Sequence, residues 1–163
     1  MRINFSEYIN DIARILILLN SVKNKKTHKM TENRIKLYDY YLKFPHTMIK
    51  EYSERKGFEM NFDEYYAFFH WQPDLICYRQ SLNYLIAKKF VIRRDESNMS
   101  IYTITDLGVE ALANIENSYK NQLIELTNDF IPMVVKLSDA KIDEIIREKS
   151  NIFLRNGGMR NED

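Results

Sequence analysis

The sequence is short of the residues that reverse a chain, with only four glycines and three prolines among 163 residues. A many-stranded sheet needs frequent tight turns, so this scarcity favours long helices. Cysteine occurs once, as Cys77, which excludes an internal disulfide and leaves no mark of an oxidising compartment. Set beside Leu75, Ile76 and Tyr78, that thiol reads as a small buried hydrophobe rather than a nucleophile. The three histidines, His28, His46 and His70, stand far apart, and neither a His-x-x-x-His nor a Cys-x-x-Cys spacing occurs. No metal and no cofactor is therefore expected. A glycine-rich phosphate loop is missing too. The acid pairs Asp63-Glu64 and Asp95-Glu96 are adjacent in sequence, so their side chains diverge and read as solvated rather than as acid–base machinery. Enzymatic chemistry and a small-molecule substrate are accordingly not expected. The strongest apolar stretch, Ile12 to Leu19, holds eight residues with Arg14 inside it. A bilayer needs about 20. The opening Met1-Arg2-Ile3-Asn4 lacks a signal-peptide pattern, so the expectation is a cytoplasmic protein without membrane association.

Apolar residues make up 45% of the chain and charged residues 29%, a globular balance that argues against disorder. The length suits one domain with extensions. Eleven tyrosines and nine phenylalanines stand against one tryptophan, and such amphipathic rings are enriched where proteins meet partners. The net charge of +1 conceals an uneven distribution. Residues 75–94 carry Arg79, Lys88, Lys89, Arg93 and Arg94 and no acid. Residues 23–36 carry Lys23, Lys25, Lys26, Lys29, Arg34 and Lys36 against Glu32 alone. The remainder is net acidic, and polarity of this kind governs association even at near-zero total charge.

Periodicity predicts a first helix over residues 5–22, where Phe5, Tyr8, Ile9, Ile12, Leu16 and Leu19 recur at three- and four-residue spacing. Ile15, Ile17 and Leu18 make it apolar nearly all round. Such a helix is either central to the core or partly reserved for a partner. The lysine-rich run Lys23 to Lys29 reads as a loop. Thr31 can cap a second helix with a stripe of Ile35, Tyr38, Tyr41 and Leu42, which Pro45 interrupts near Phe44. Met48, Ile49 and Tyr52 continue an amphipathic piece that Gly57 stops. Asn61 and Glu64 form a capping-box pattern before Phe62 to His70, and the chain breaks at Trp71 to Asp74. Past the centre, residues 106–137 read as a long helical stretch broken at Pro132, with Leu123, Leu126, Phe130, Val134 and Leu137 along one side. Ser138 can cap a last helix carrying Ile142, Ile145, Ile146 and Phe153. Gly157-Gly158 ends order, and Met159 to Asp163 is expected to fray.

Residues 74–112 carry the most information. An amphipathic helix over 75–88 turns Leu75, Tyr78, Leu82, Leu85 and Ile86 inward and Arg79, Gln80 and Asn83 outward. It runs into two β-prone segments, Phe90 to Arg94 and Ser100 to Ile104, joined by the polar loop Asp95 to Met99. Val91, Ile101 or their neighbours are expected to cover the core while Arg93 stays out. Thr105 can cap the next helix, and Gly108 permits that helix to approach the sheet closely. The expected fold is mainly α: a winged helix-turn-helix with one β-hairpin wing, flanked by an N-terminal helix and long C-terminal helices. Residues 1–29 form the N-terminal helix and basic loop, residues 30–112 the winged-helix domain, and residues 113–163 a C-terminal helical extension for assembly. Helix–turn–helix geometry would direct Arg79, Gln80 and Asn83 toward base edges, with Lys88, Lys89, Arg93 and Arg94 on phosphates. Winged helices also dock proteins, and the fold alone does not choose. For burial against a partner, the apolar excess points to Ile12, Leu16 and Leu19, with Leu123, Leu126 and Phe130.

Over roughly residues 30–112 the chain resembles the middle component of bacterial ABC-three-component systems, including the Lamassu-type defence operons. The resemblance rests on Arg34-Ile35-Lys36-Leu37-Tyr38-Asp39-Tyr40-Tyr41-Leu42-Lys43-Phe44-Pro45, on the run from Tyr78 to Val91, and on Thr105-Asp106-Leu107-Gly108. These motifs are shared in part with winged-helix regulators of the PadR and MarR families. The resemblance implies a non-catalytic adaptor linking an SMC-like or Rad50-like ATPase to an effector such as a nuclease in an anti-phage complex. Weak, salt-sensitive, sequence-independent DNA contact would accompany that role. The alternative is a dimeric transcriptional regulator whose C-terminal helices pair two copies.

Overall fold

The structure is a computed structural model that describes residues 5–49 and 75–158, with the backbone alone for residues 5–8, 75, 77 and 151–158. Among these residues the order is α1 (Phe5–Ser21), α2 (Glu32–Lys43), α3 (Pro45–Met48), α4 (Leu75–Ala87), β1 (Val91–Glu96), β2 (Met99–Ile104), α5 (Asp106–Ala113), α6 (Ser118–Val134) and α7 (Asp139–Gly158). The protein is mainly helical, with a small two-stranded antiparallel sheet. The expected elements around Tyr52, Gly57, Asn61 to His70 and Trp71 to Asp74, and the terminal Met159 to Asp163, lie outside the described residues.

Helix α1 is the axis of the molecule. Its consecutive residues Ile15, Leu16, Ile17, Leu18 and Leu19 are all buried to 2% exposure or less. Five residues in a row span more than one helical turn, so every side of α1 is covered at this level. The cover comes from α2, α4, α5, α6 and β2, all of which pack on it. Burial on this scale stabilises by about 1.5–3 kcal/mol per large aliphatic side chain.

Sequence chemistry explains most of the boundaries. Thr31 caps α2 by accepting from the Arg34 N–H at 3.2 Å. Pro45 stops α2 at Lys43 and opens the short α3, where a missing N–H does no harm. The break expected at Pro132 falls earlier. Asn117 caps α6, accepting from the Lys120 N–H at 2.7 Å, and α6 continues through Pro132 to Val134. A proline two residues from a helix end removes a single ladder bond there, whereas the Asn-capped restart separates α5 from α6.

The hairpin is longer and tighter than its sequence suggested. The pairing runs from Val91 with Ile104 to Glu96 with Met99, leaving Ser97-Asn98 as a two-residue turn with φ of 50° and 63°. Both residues in the left-handed region make a type I′ reversal, which matches strand twist. Val91 and Ile101 are buried and Arg93 is exposed, as expected, and cross-strand pairing adds how the faces divide. Val91, Arg93 and Asp95 share a face with Ile104, Tyr102 and Ser100, whereas Ile92, Arg94 and Glu96 share the other with Thr103, Ile101 and Met99. Ile101 therefore faces away from Val91. It is buried nonetheless, beside an isolated bridge from Thr31 to Ile101, and the Tyr102 N–H donates to the Met30 carbonyl at 2.9 Å.

Residues from 1–29, 30–112 and 113–163 all enter one continuous core. From the C-terminal part, Leu123, Leu126, Phe130 and Val134 of α6 join Ile142 and Ile146 of α7. Phe130 stacks on Tyr41 with ring centroids 5.0 Å apart and meets Tyr38 edge-on at 6.0 Å. A buried ion network crosses this core. Arg14 on α1 donates to Asp39 on α2 at 2.6 Å and pairs with Asp11, while Lys43 reaches Asp39 at 3.3 Å.

Candidate functional site

The exit from α4 sets the site. The helix ends in a Schellman arrangement, in which the Phe90 N–H donates to the Leu85 carbonyl and the Lys89 N–H to the Ile86 carbonyl, each at 2.9 Å. Lys89 takes the left-handed position with φ of 60°, where glycine is the usual occupant. Immediately beyond, Thr105 fastens α5 to this corner. Its hydroxyl donates to the Lys89 carbonyl at 2.7 Å and accepts from the Gly108 N–H at 3.0 Å. A Cβ on Gly108 would lie 2.2 Å from the Phe90 carbonyl oxygen and 2.8 Å from Ile104. Helix α4, the hairpin and α5 are thus locked at one seam, and α4 and the hairpin hold their outward side chains on a fixed frame.

Helix α4 turns Tyr78, Ser81, Leu82 and Leu85 inward, all at 2% exposure or less. Tyr78 reaches the ion network: burial first, then the Asp39 carboxylate, push its phenol well above the ordinary value. The outward side presents Arg79, Gln80, Asn83, Tyr84, Lys88 and Ile76, the last 65% exposed. The side chains of Leu75 and Cys77 lie outside the described residues.

All seven residues expected at a nucleic-acid contact, Arg79, Gln80, Asn83, Lys88, Lys89, Arg93 and Arg94, are exposed. They do not form one uniform cationic surface. Arg79 approaches Glu32 at 3.4 Å, and Arg93 pairs with Asp95 at 3.1 Å. Although partial burial opposes it, bonding to Lys36 and Arg79 holds the Glu32 carboxyl below its usual range. Tyr102 gathers this half of the site. Burial raises its phenol, and Glu32, Arg93, Asp95 and Arg79 all act on it through space. Arg94 falls on the other face of the hairpin, with Ile92 and Met99, which are 38% and 43% exposed. Among the described residues no acid pairs with Lys88, Lys89 or Arg94. Lys88 lies over the Tyr84 ring at 5.7 Å.

The apolar residues expected at a partner surface lie elsewhere than anticipated. Leu16, Leu19, Leu123, Leu126 and Phe130 are buried within the chain itself, and Ile12 is half-buried against the same core. Helix α1 is enclosed by five neighbouring elements, so the surplus of apolar side chains that suggested a partner is consumed internally. Among the described residues the exposed large apolar side chains are instead Ile76 and Tyr84 on α4 and Ile92 and Met99 on the hairpin, with Ile9, Leu107, Tyr119, Ile124 and Met133 on other elements. A helical wheel carries the signal for the first two, because Ile76 and Tyr84 share the outward stripe of Arg79, Gln80 and Asn83.

Among the described residues no group of three or more His, Cys, Asp or Glu side chains is placed to hold a metal ion, and no helix is long and apolar enough to cross a membrane. The face is an arrangement for contact, with hydrogen-bonding side chains, unpaired cations and exposed apolar groups on a rigid frame. Neither a protein-family model, a curated protein nor a solved structure matches the chain.

Proposed function

We propose that this chain is a winged-helix adaptor without catalytic activity, which docks a protein partner through α4 and the hairpin. The winged-helix reading is supported by the element order: α1, a strand-like bridge at Thr31, α2, then α4, β1 and β2, with the bridge extending the hairpin on the β2 side. The observation that carries the adaptor reading is the mixed chemistry of the outward face. Exposed Ile76, Tyr84, Ile92 and Met99 are interleaved with Arg79, Lys88 and Arg94. A surface meant only for phosphates has no use for an isoleucine at 65% exposure, whereas protein interfaces combine apolar and aromatic anchors with arginine.

Together with the resemblance to the middle component of ABC-three-component systems, this supports a specific role. The chain would be the subunit that links an SMC-like or Rad50-like ATPase to an effector such as a nuclease inside a bacterial cell. The docking surface belongs to α4 and the hairpin, not to α1 or α6. Co-expression with the products of neighbouring genes tests the reading. The wild-type chain is expected to co-purify with them, and Ile76→Asp combined with Tyr84→Ala to lose them while keeping its melting temperature. A chain that purifies alone while the other products still assemble would overturn the proposal.

A dimeric DNA-binding regulator is the second reading, favoured by the exposure of Gln80 and Asn83 beside Arg79 on α4. These types read base edges, and each well-formed bidentate contact discriminates by about 1–3 kcal/mol. Sequence-selective duplex binding that Asn83→Ala abolishes would establish it in place of the adaptor.

A further inference from the structure

The lysine-rich loop between α1 and α2 touches the hairpin through Lys29, which pairs with Glu96 at 3.0 Å; its Lys25 and Lys26 lie apart from the face described above. The loop forms one wall of an open groove of about 850 Å³ whose other wall is the junction between α6 and α7. Lys25 and Lys26 line it from the loop, Lys136 from the junction and Arg34 from α2, and no acid is among the described residues that line it. Two contacts brace these walls. Arg34 donates through Nε to Asp139 at 2.6 Å, and His28 is hydrogen-bonded to the Tyr38 hydroxyl at 3.0 Å and stacked on that ring. The loop itself is closed by backbone bonds from the Lys25 N–H to the Val22 carbonyl at 2.9 Å and from the His28 N–H to the Lys25 carbonyl at 2.8 Å.

Asp139 offsets the charge of Arg34. Among the described residues no acid pairs with Lys25, Lys26 or Lys136, so three exposed lysines line the groove without an acid partner. Three like charges held around one concavity repel each other, an arrangement that an anion entering between them relieves. His28 registers the same field, since burial together with Arg34 and Lys25 holds its imidazole below the ordinary value.

We propose that this groove binds the phosphodiester backbone of a nucleic acid without reading its bases. Four features select that occupant. Lysine ammoniums act as point charges suited to phosphate. The groove is open to solvent, which suits a polymer better than an enclosed nucleotide. Among the described residues that line it the one aromatic ring is His28, which is hydrogen-bonded to and stacked on Tyr38, so the groove offers no row of rings for successive bases. A flat lipid surface would not reach lysines gathered in a concavity. The groove shares no residue with the α4 and hairpin face, so the inference stands or falls independently of the adaptor reading.

Fluorescence anisotropy with a labelled duplex and a labelled single strand of about 20 nucleotides tests it, comparing the wild type with Lys25→Ala/Lys26→Ala/Lys136→Ala. These side chains are exposed, and an unchanged thermal melt certifies the fold of the variant. Three phosphate contacts predict that the wild type loses about 40-fold in duplex affinity between about 50 and 200 mM salt. The variant is expected to bind at least about ten-fold more weakly at low salt, with a salt slope shallower by about 2 to 3. Scrambled sequences should bind alike, and the His28 ring signal should move on addition of the oligonucleotide. Equal binding by variant and wild type, with loss confined to Arg79→Ala/Lys88→Ala/Arg94→Ala, would assign nucleic acid to the other face and overturn the proposal. Binding of tripolyphosphate or acidic phospholipid vesicles without binding of either oligonucleotide would overturn it as well.

Discussion

Two residues occupy positions that ordinary preference would give to something else. Asp39 is an acid at 2% exposure, tolerated because Arg14 and Lys43 converge on it. Burial would raise its carboxyl, yet the guanidinium of Arg14 and the ammonium of Lys43 hold it below the ordinary value of 3.8. A carboxyl depressed in the folded state contributes stability that is complete above the unfolded value. That contribution is lost as pH falls through the depressed one. Acid unfolding should therefore steepen below about pH 4. Replacing Asp39 by Asn leaves Arg14 buried with a weaker partner and is expected to cost about 3–5 kcal/mol in urea unfolding at pH 7. The same variant should show a flatter stability profile between neutral pH and pH 3. Lys89 is the second case, a lysine in the left-handed conformation that a Schellman exit normally gives to glycine. Lys89→Gly is expected to raise stability by about 0.5–1 kcal/mol in the same assay. Binding of a partner at the α4 and hairpin face should weaken at the same time, because one exposed cation is removed. Stabilisation with unchanged binding would show that Lys89 has no part in that face.

At the level of elements, the seam joining α4, the hairpin and α5 is tightly constrained. Gly108→Ala would drive a methyl group to 2.2 Å from a backbone oxygen, so α5 must move away from the hairpin. A loss of about 2 kcal/mol or more is expected, against about 1 kcal/mol for Thr105→Ala, which removes only a cap. A Gly108→Ala variant as stable as the wild type would show that the seam yields. This seam was legible in the sequence because its requirements are local: a cap three residues before a glycine, straight after a β-prone run. The helices were legible for the same reason. The turn was not, since Ser97-Asn98 lacks the glycine that usually announces a type I′ reversal, and the polar run from Asp95 to Met99 looks like a loop on composition alone. The ion network escaped notice because it depends on tertiary contact. Arg14 was visible inside an apolar run, but nothing local shows that Asp39, 25 residues on, lies against it. The candidate face was half legible. Its cations on α4 fall where helical spacing put them, whereas which β2 residues join Arg93 and which join Arg94 follows from strand register.

For the whole molecule the decisive quantity is how many sides of α1 are covered, and by what. An apolar helix reads the same in sequence whether its neighbours belong to its own chain or to another, so partner burial at Leu16 or Leu126 could not be distinguished from internal packing. The structure resolves this through α6, which closes over α1 and α2 with Leu123, Leu126, Phe130 and Val134. Residues 113–158 are therefore a structural wall, and α2 without them would expose Tyr38 and Tyr41, both now at 2% or less. Phe130 packs against both of those rings, and Phe130→Ala is expected to destabilise by about 3–5 kcal/mol. Truncation after residue 112 should have a larger effect, giving a chain that binds hydrophobic dyes and lacks a cooperative melt, while the full-length protein melts in one transition. A truncated chain that melted cooperatively would mean that residues 30–112 are self-sufficient and that α6 and α7 are an appendage free to serve assembly. Under the single-core architecture that freedom is absent, which is why the contacts proposed above are assigned to the outer surfaces of α4, the hairpin and the lysine-rich loop, where exposed cations gather outside the core.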